Sequence, residues 1–209
     1  MLRSMNPVVL VVVAALAVVV SACTLARSAA EPRLTALAAT RFALEVDSTI
    51  RARFPNGKVR LLQASSPNVP DLNGTAREWT LAVSDPATST AHQYAVSNGR
   101  VGLVGSGSSF MRDDTPLIAD LAGGVTIPAD VMDSDRAIQT AETLGGTVYR
   151  TQMGAEILDM DLSGFPGRQL VWTVFYSKPN TDHQATLRID ARTGELLGID
   201  SQDFPTRKP

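Results

Sequence analysis

The sequence has 209 residues, of which 44% are hydrophobic and 19% charged, and its formal net charge at pH 7 is −2. This is the composition of a globular protein, and without a basic block it gives no indication of nucleic-acid binding. A single cysteine excludes an intramolecular disulfide and a zinc site built from several thiolates, and two histidines are few for a metal centre. We therefore expect no cofactor.

Residues 1–22 have the pattern of a secretory signal peptide. Arg3 supplies one positive charge, and an uninterrupted apolar run covers residues 8–20. This run is shorter than the roughly 20 residues that a membrane-spanning helix needs. A short positive region, a short apolar region and then small residues are typical of a cleaved signal.

The segment Val20-Ser21-Ala22-Cys23 resembles the lipobox of bacterial lipoproteins. The resemblance implies cleavage between Ala22 and Cys23 and attachment of a lipid to the Cys23 thiol. An ordinary signal peptide with an incidental cysteine is the alternative. Residues 23–31 would then be the lipidated N-terminus and a short tether. The protein is expected to be exported and lipid-anchored to the cell membrane or outer membrane, facing away from the cytoplasm.

Residues 32–105 are predicted to form a helix followed by four strands. Apolar residues spaced three and four apart over residues 34–54 predict an amphipathic helix, which ends at Pro55-Asn56-Gly57. Asn98-Gly99 predicts a two-residue hairpin turn, because both positions tolerate a positive φ. The predicted strands are 58–64, the segment around Trp79, 91–96 and 100–104.

A linker is predicted over residues 106–130, since Gly105-Ser106-Gly107-Ser108-Ser109 begins a segment without regular periodicity. A second helix is predicted over residues 134–144, capped by Asp133 or Ser134 and ended by Gly145-Gly146. The strands that follow are predicted at 155–162, around Trp172, at 184–189 and at 195–199, and residues 202–209 form a C-terminal tail.

An internal repeat relates these two regions. Trp79-Thr80-Leu81-Ala82-Val83-Ser84-Asp85-Pro86 aligns with Trp172-Thr173-Val174-Phe175-Tyr176-Ser177-Lys178-Pro179 at a constant offset of 93 positions (172 − 79). The predicted fold is α+β, with two similar units that each pack an amphipathic helix on a small antiparallel sheet. A unit of about 75 residues is only marginally stable alone, so the units should pack together or share a sheet.

The segment Ile189-Asp190-Ala191-Arg192-Thr193-Gly194-Glu195-Leu196-Leu197-Gly198 resembles the end of a PepSY domain. Residues 131–201 would be one PepSY-like unit and residues 32–105 a diverged one, in which Ser97-Asn98-Gly99-Arg100 replaces the turn. Asp190 is expected to accept turn amides and Gly194 to adopt a left-handed conformation. The resemblance implies inhibition or regulation of peptidases by binding without catalysis.

Other candidate sites receive structural interpretations. Gly105-Ser106-Gly107-Ser108 lacks the lysine of a phosphate loop and is expected to be linker. His92 and His183 should lie in separate units, and Trp79 and Trp172 should be buried, with exposed partner anchors as the alternative. None of three acidic pairs continues into a calcium loop: Asp113 with Asp114, Asp133 with Asp135, and Asp159 with Asp161. Helix capping is expected for Asp133, and the solvent face of a strand for Asp159 and Asp161.

The sequence thus favours a non-catalytic binding or regulatory lipoprotein. Its expected partners are the membrane, through the N-terminal lipid, and an unidentified envelope protein or peptidase, but no nucleic acid. Two alternatives stay open. One is a structural envelope lipoprotein, and the other is a small-ligand carrier or hydrolase with a site between the two units.

Overall fold

The computed structural model describes residues 32–204, except 55, 67–70, 86–89, 109–117, 122–124, 126, 165–168 and 202–203. The predicted cleavage and acylation site at Ala22 and Cys23 lies outside the described residues, as do Asp113 and Asp114. Within the described part of the chain, no helix is long and apolar enough to cross a membrane.

The helices lie in two groups along the chain. They are α1 (Ala36–Val46), α2 (Ser48–Arg53), α3 (Ser134–Ala141), a π-helical turn (Glu142–Gly146) and α4 (Thr147–Met153). Strands follow each group: β1 (Lys58–Ser66), β2 (Glu78–Asp85), β3 (Thr90–Ser97), β4 (Arg100–Ser108), β5 (Ile118–Asp120), β6 (Glu156–Gly164), β7 (Leu170–Ser177), β8 (Gln184–Asp190) and β9 (Leu196–Asp200).

All of these strands belong to one sheet, in the order β4-β3-β2-β1-β6-β7-β8-β9, and β5 pairs with the start of β1. Every pairing is antiparallel. Residues 63–66 of β1 pair with residues 160–163 of β6, which joins the N-terminal and C-terminal strands into a continuous sheet. The α+β prediction is confirmed. The N-terminal and C-terminal regions were expected to pack together or to share a sheet, and their strands share one sheet.

One face of this sheet carries the hydrophobic core. Leu81, Ala64, Leu162 and Trp172 are successive cross-strand partners, and each is at most 1% exposed. Trp79 lies two residues from Leu81 on the same face and is 1% exposed. Both tryptophans are therefore core residues, as expected, and they are not exposed partner anchors.

Each tryptophan holds the segment that precedes a helix. The indole Nε1 of Trp79 donates to the carbonyl of Leu34 at 2.8 Å, and that of Trp172 donates to the carbonyl of Met132 at 2.9 Å. Each accepting residue lies two positions before the first residue of its helix. The helices are thus placed on the tryptophan face of the sheet.

The helix predicted over residues 34–54 is two helices, and the prediction of a single one is wrong. Asp47 has an extended conformation, with φ −88° and ψ 101°. Its carboxylate accepts from the amide of Thr49 at 2.7 Å and so caps α2. Aspartate competes well for backbone amides outside a helix, which favours this break over an uninterrupted helix.

The second helix does not end at Gly145-Gly146, as predicted, but continues through the π-helical turn into α4. Gly145 has φ 133°, a conformation that favours glycine, and produces a kink rather than an end. Beyond the kink, Tyr149 is fully buried and packs edge-on against Tyr176, with ring centroids 6.2 Å apart. This packing stabilises the extra helical turns.

The predicted turns are confirmed. Asn98 and Gly99 have φ values of 53° and 67°. Asp190 Oδ1 accepts from the amides of Arg192 at 2.8 Å and Thr193 at 2.7 Å. Gly194 has φ 77°.

The segment predicted as a linker contains strand residues. β4 extends to Ser108, through the serine-glycine segment where the linker was expected to begin, and β5 lies further along at Ile118–Asp120. Pairing with β3 and β1 respectively satisfies their backbone groups, which composition alone does not reveal.

Candidate binding surface

The N-termini of α1 and α3 meet at one carboxylate. Asp133 Oδ1 accepts from the amide of Ser134 at 2.7 Å, which caps α3, and from the amide of Leu37 at 3.0 Å, inside the first turn of α1. Thr35 is the N-cap of α1, but its hydroxyl donates to Asp133 Oδ2 at 2.6 Å instead of accepting from its own helix. Asp133 therefore serves both helices.

Ser134 completes this junction. Its Oγ accepts from the amide of Ala36 at 2.9 Å and donates to the carbonyl of Gly74 at 2.7 Å. Gly74 has φ +76°, and a Cβ there would lie 2.3 Å from the Cα of Asp135. These polar groups are paired with one another, so the expected capping role of Asp133 is confirmed and the junction is structural.

The opposite face of the sheet has a different chemistry. A row of cross-strand partners runs over six strands, and their side chains are polar and half-buried, apart from an exposed arginine at one end and the small Ala95 at the other. In sheet order the row is Ala95, Thr80, Ser65, Asp161, Thr173 and Arg188. We call this row and its neighbours the open face. It presents short hydrogen-bonding groups on a rigid sheet.

Two carboxylates lie near the centre of the open face, where β6 adjoins β1. Asp161 accepts hydrogen bonds from Ser163 and Gln63, yet burial raises its pKa above the ordinary range. Burial, reinforced by the charge of Asp161, raises the pKa of Asp159 to about 6. Among the described residues, the Oδ1 atoms of both aspartates are buried without a hydrogen-bond partner.

The sequence placed Asp159 and Asp161 on the solvent face of a strand, and the structure places them there but half-buried. An irregularity in the pairing of β6 with β7 between Ile157 and Asp159 alters the alternation at this point. Such bulges re-aim side chains. The alternating acid pattern signalled the face, and only the assembled sheet provides the burial that shifts the two pKa values.

The two histidines are far apart. His92 is buried in β3, with Nδ1 3.0 Å from Ser106 Oγ and its ring edge-on to Phe54. Burial, together with the charge of Arg53, lowers its pKa. His183 is exposed before β8. Four strands separate β3 from β8, which is about 24 Å at ordinary strand spacing, so the two imidazoles cannot share a ligand.

A third polar cluster, which the sequence did not signal, lies at the helix kink. Glu142 pairs with Arg150 at 2.7 Å and accepts from the hydroxyl of Tyr176 at 3.1 Å. Burial alone would raise the pKa of Glu142, but hydrogen bonds from Arg150 and Thr147 outweigh it and the pKa is lowered. A paired, ionised carboxylate of this kind stabilises the kink and is not a proton donor.

Two further features of the described residues concern metal ligands and cavities. No set of three metal-ligating side chains comes together within the described ranges. An open groove of about 260 Å³ lies along one helix and not between the halves of the chain. It is lined by Arg136, Gln139, Thr140, Thr143 and Leu144.

Comparison with known proteins identifies no family. No family model matches the sequence, and no curated protein matches it significantly. Among solved structures, the chain is similar to a putative lipoprotein from Clostridium difficile 630, with 12% sequence identity and a TM-score of 0.43. The similarity covers 76% of this chain and 97% of that one. No functional statement about this chain follows from a likeness at that level.

Proposed function

We propose that this chain is a bacterial lipoprotein of the cell envelope, cleaved after Ala22 and acylated on Cys23. The support is the order of a short positive start, a 13-residue apolar run at residues 8–20 and the motif Val20-Ser21-Ala22-Cys23. Residues 24–31 then tether the folded part closely to the membrane surface.

The folded part is, in this proposal, a tandem pair of PepSY-like units within one sheet. Three correspondences support the pairing. The sequence repeat places Trp79 and Trp172 at equivalent positions. Both indoles donate to the carbonyl two residues before a helix. Each helix is also followed by four strands that are consecutive in the sheet, apart from the added β5.

The protein acts as a non-catalytic binding or regulatory module that engages an envelope protein, such as a peptidase, through the open face. The observation that carries this proposal is the continuous polar row across the sheet, with Asp159 and Asp161 half-buried near its centre. A rigid face of half-buried polar side chains gains hydrogen bonds when a partner supplies matching donors and acceptors.

The test is affinity capture from membranes with the lipidated protein, followed by mass spectrometry. Thr80→Arg and Thr173→Arg each put a long charged side chain into the polar row, one in each half. Gln139→Arg introduces the same side chain on the exposed side of α3, away from the open face, and is the matched control. We expect an envelope protein to be captured by the native chain and by Gln139→Arg, and at least tenfold less by the two open-face variants.

Capture of no envelope protein above an unlipidated control would count against a binding role and favour a purely structural lipoprotein. Equal capture by the native chain and all three variants would mean that the partner does not bind through the open face.

The anchor has its own test. Cys23→Ala should leave the protein unprocessed or release it from the membrane fraction, because the acylated thiol is gone. Normal processing with an unchanged membrane fraction would refute acylation at Cys23.

A further inference from the structure

The two halves of the sheet carry opposite net charges. Residues 32–108 contain eight basic and five acidic side chains, a net charge of +3 (8 − 5). Residues 131–201 contain six basic and ten acidic side chains, a net charge of −4 (6 − 10). Because the first region ends the sheet at β4 and the second ends it at β9, the β4 end is the positive one. Such an asymmetry orients a protein on a charged surface.

Exposed apolar and basic side chains occur together at the β4 end. Leu103 and Val104 of β4 are 44% and 63% exposed, and Val46, at the end of α1, is 60% exposed. Helix α1 packs against β4. Arg51 and Arg53 are exposed in the last turn of α2, the next helix along the chain. We call these five side chains the edge patch.

The end of α2 is held beside the two outer strands. Phe54 directly follows α2, and its ring lies edge-on to that of His92 in β3, with centroids 5.6 Å apart. The Nδ1 atom of His92 lies 3.0 Å from the Oγ of Ser106 in β4. The arginines of α2 and the apolar side chains of β4 therefore belong to the same end of the sheet.

The chain that leads to the lipid anchor joins the fold near this end. Leu34 and Ala76 exchange backbone hydrogen bonds of 3.1 and 3.0 Å just before β2. β2 is two strands from β4 but five from β9, which is about 10 Å and about 24 Å at ordinary strand spacing. The nine steps from Cys23 to Pro32 span roughly 30 Å when fully extended. A bilayer at the β4 end is within easy reach, whereas one at the β9 end would need a nearly extended tether.

We propose that the edge patch docks on the anionic bilayer surface that carries the lipid anchor, with β4 towards the lipid and β9 away from it. This inference rests on the proposed acylation of Cys23. The arginines of the patch contact lipid phosphates, and its apolar side chains enter the headgroup layer. Water and headgroups pair with the outer backbone groups of β4 there, since the hydrocarbon region does not tolerate an open strand edge.

In this orientation the sheet stands on its edge. The negative C-terminal region is held away from the anionic lipid, and the open face stays accessible to a partner in the envelope. A protein bound to the edge patch would cover the same side chains, but it would not bring them to the lipid.

The test places a fluorophore on the processed, lipidated chain in vesicles of phosphatidylcholine with one third phosphatidylglycerol. An acylated Cys23 has no free thiol, so Val104→Cys provides a single labelling site at β4. Leu197→Cys does the same at β9 and is the matched control, because Leu197 is also exposed, at 40%. A spin-labelled lipid should quench the label at residue 104 at least threefold more strongly than the label at residue 197. Equal quenching, or stronger quenching at residue 197, would overturn the docking.

The charge of the lipid is the second variable. Arg51→Gln combined with Arg53→Gln should reduce quenching at residue 104 at least twofold, and so should vesicles of phosphatidylcholine alone, because the attraction to anionic lipid is lost. Arg136→Gln combined with Arg188→Gln is the matched control, since it removes two exposed charges from the C-terminal region and should leave the quenching unchanged. Quenching that responds to neither change would exclude docking on an anionic surface.

The mass of the native chain separates this inference from the lipoprotein proposal. A chain without acyl groups on Cys23 would refute both. An acylated chain with equal quenching at the two edges would refute the docking alone.

Discussion

Two regions of the chain, residues 32–108 and residues 131–201, attach the start of their first helix to the sheet in the same way. They differ in how that helix continues. In both regions a buried tryptophan donates to the carbonyl two residues before the helix. The first helix is then interrupted at Asp47, which caps the next helix, whereas the second kinks at Gly145-Gly146 and continues to Met153.

The two regions also differ in where the capping groups of their first helices come from. α3 is capped by Asp133, the residue directly before it, while the first amides of α1 donate to Ser134 and Asp133 of the other region. The N-terminal region therefore depends on the C-terminal region to complete its first helix. The two regions lie in one sheet, and the stability of one depends on the other at this junction.

Gly74→Ala should have the largest effect on this coupling. The new Cβ would lie 2.3 Å from the Cα of Asp135, at a residue with φ +76°. Left-handed strain of about 1 kcal/mol and overpacking of about 1–3 kcal/mol should lower the free energy of unfolding by roughly 2–4 kcal/mol in urea denaturation.

Gly154→Ala is the matched control, because Gly154 has φ +67° but no atom within 4 Å of its Cβ position. Its free energy of unfolding should fall by about 1 kcal/mol, from the left-handed strain alone. Equal losses for the two variants would mean that the junction is not tightly packed.

Trp172→Phe and Trp79→Phe test whether the two regions use their tryptophans equally. Trp172→Phe takes away the indole donor of the Met132 carbonyl, which costs about 1–3 kcal/mol when the carbonyl is buried. Trp79→Phe takes away one of two donors, because the carbonyl of Leu34 also accepts from the amide of Ala76 at 3.0 Å. The bond from Trp172 to Met132 is buried and that from Trp79 to Leu34 is partly buried, so Trp172→Phe should lose more stability. A larger loss for Trp79→Phe in the same unfolding measurement would contradict this order.

Asp133→Ala compared with Asp47→Ala tests the shared cap. Asp133 accepts from the amides of two helices, whereas Asp47 accepts from the amide and hydroxyl of Thr49 only. Loss of one cap costs about 1 kcal/mol, so Asp133→Ala should cost about 2 kcal/mol and Asp47→Ala about half as much. Similar losses would mean that the contact with α1 contributes little.

Asp159→Asn should have the smallest effect and a distinctive pH dependence. The pKa of Asp159 is raised from 3.8 to about 6, so the folded state binds the proton more tightly than the unfolded chain. Ionisation therefore removes stability as the pH rises between these values. At neutral pH the variant should be more stable than the native protein by about 1 kcal/mol, after allowance for solvent screening.

The gain from Asp159→Asn should disappear below about pH 3, where the native carboxyl is protonated in both the folded and the unfolded state. Asp182→Asn, at an exposed turn position, should show no comparable gain. A pH-independent difference for Asp159→Asn would exclude titration of this carboxyl as its cause.

Most strands could be predicted because their alternation is local. Ala185, Leu187 and Ile189 are fully buried in β8, on the face that their spacing indicated. The helix ends were predicted less well. The apolar spacing runs through Asp47 and hides the break there. The glycine pair has the signature of a helix end but forms a kink, because Tyr149 becomes buried against Tyr176, 27 positions later in the chain (176 − 149).

The open face, too, could be predicted only in part from the sequence. The alternation of Asp159 and Asp161 identified their face of the strand. The hydrogen bond from Gln63 to Asp161 depends on the pairing of β1 with β6, and the raised pKa values of both aspartates depend on burial in the assembled sheet. The sequence also gave no signal that Asp133 would serve α1, because the two partners of that bond are 96 positions apart.

By itself, the sequence determined the elements and turns whose causes lie within a few residues: the tryptophan strands, the Asn98-Gly99 hairpin and the Asp190 turn. It also provides the motif at Cys23 on which the lipoprotein proposal rests. Only the tertiary structure decided that the two regions form one sheet, that one carboxylate caps two helices and that Asp159 and Asp161 are half-buried where β6 adjoins β1. These features depend on which segments meet in space, and long-range pairing and burial decide that.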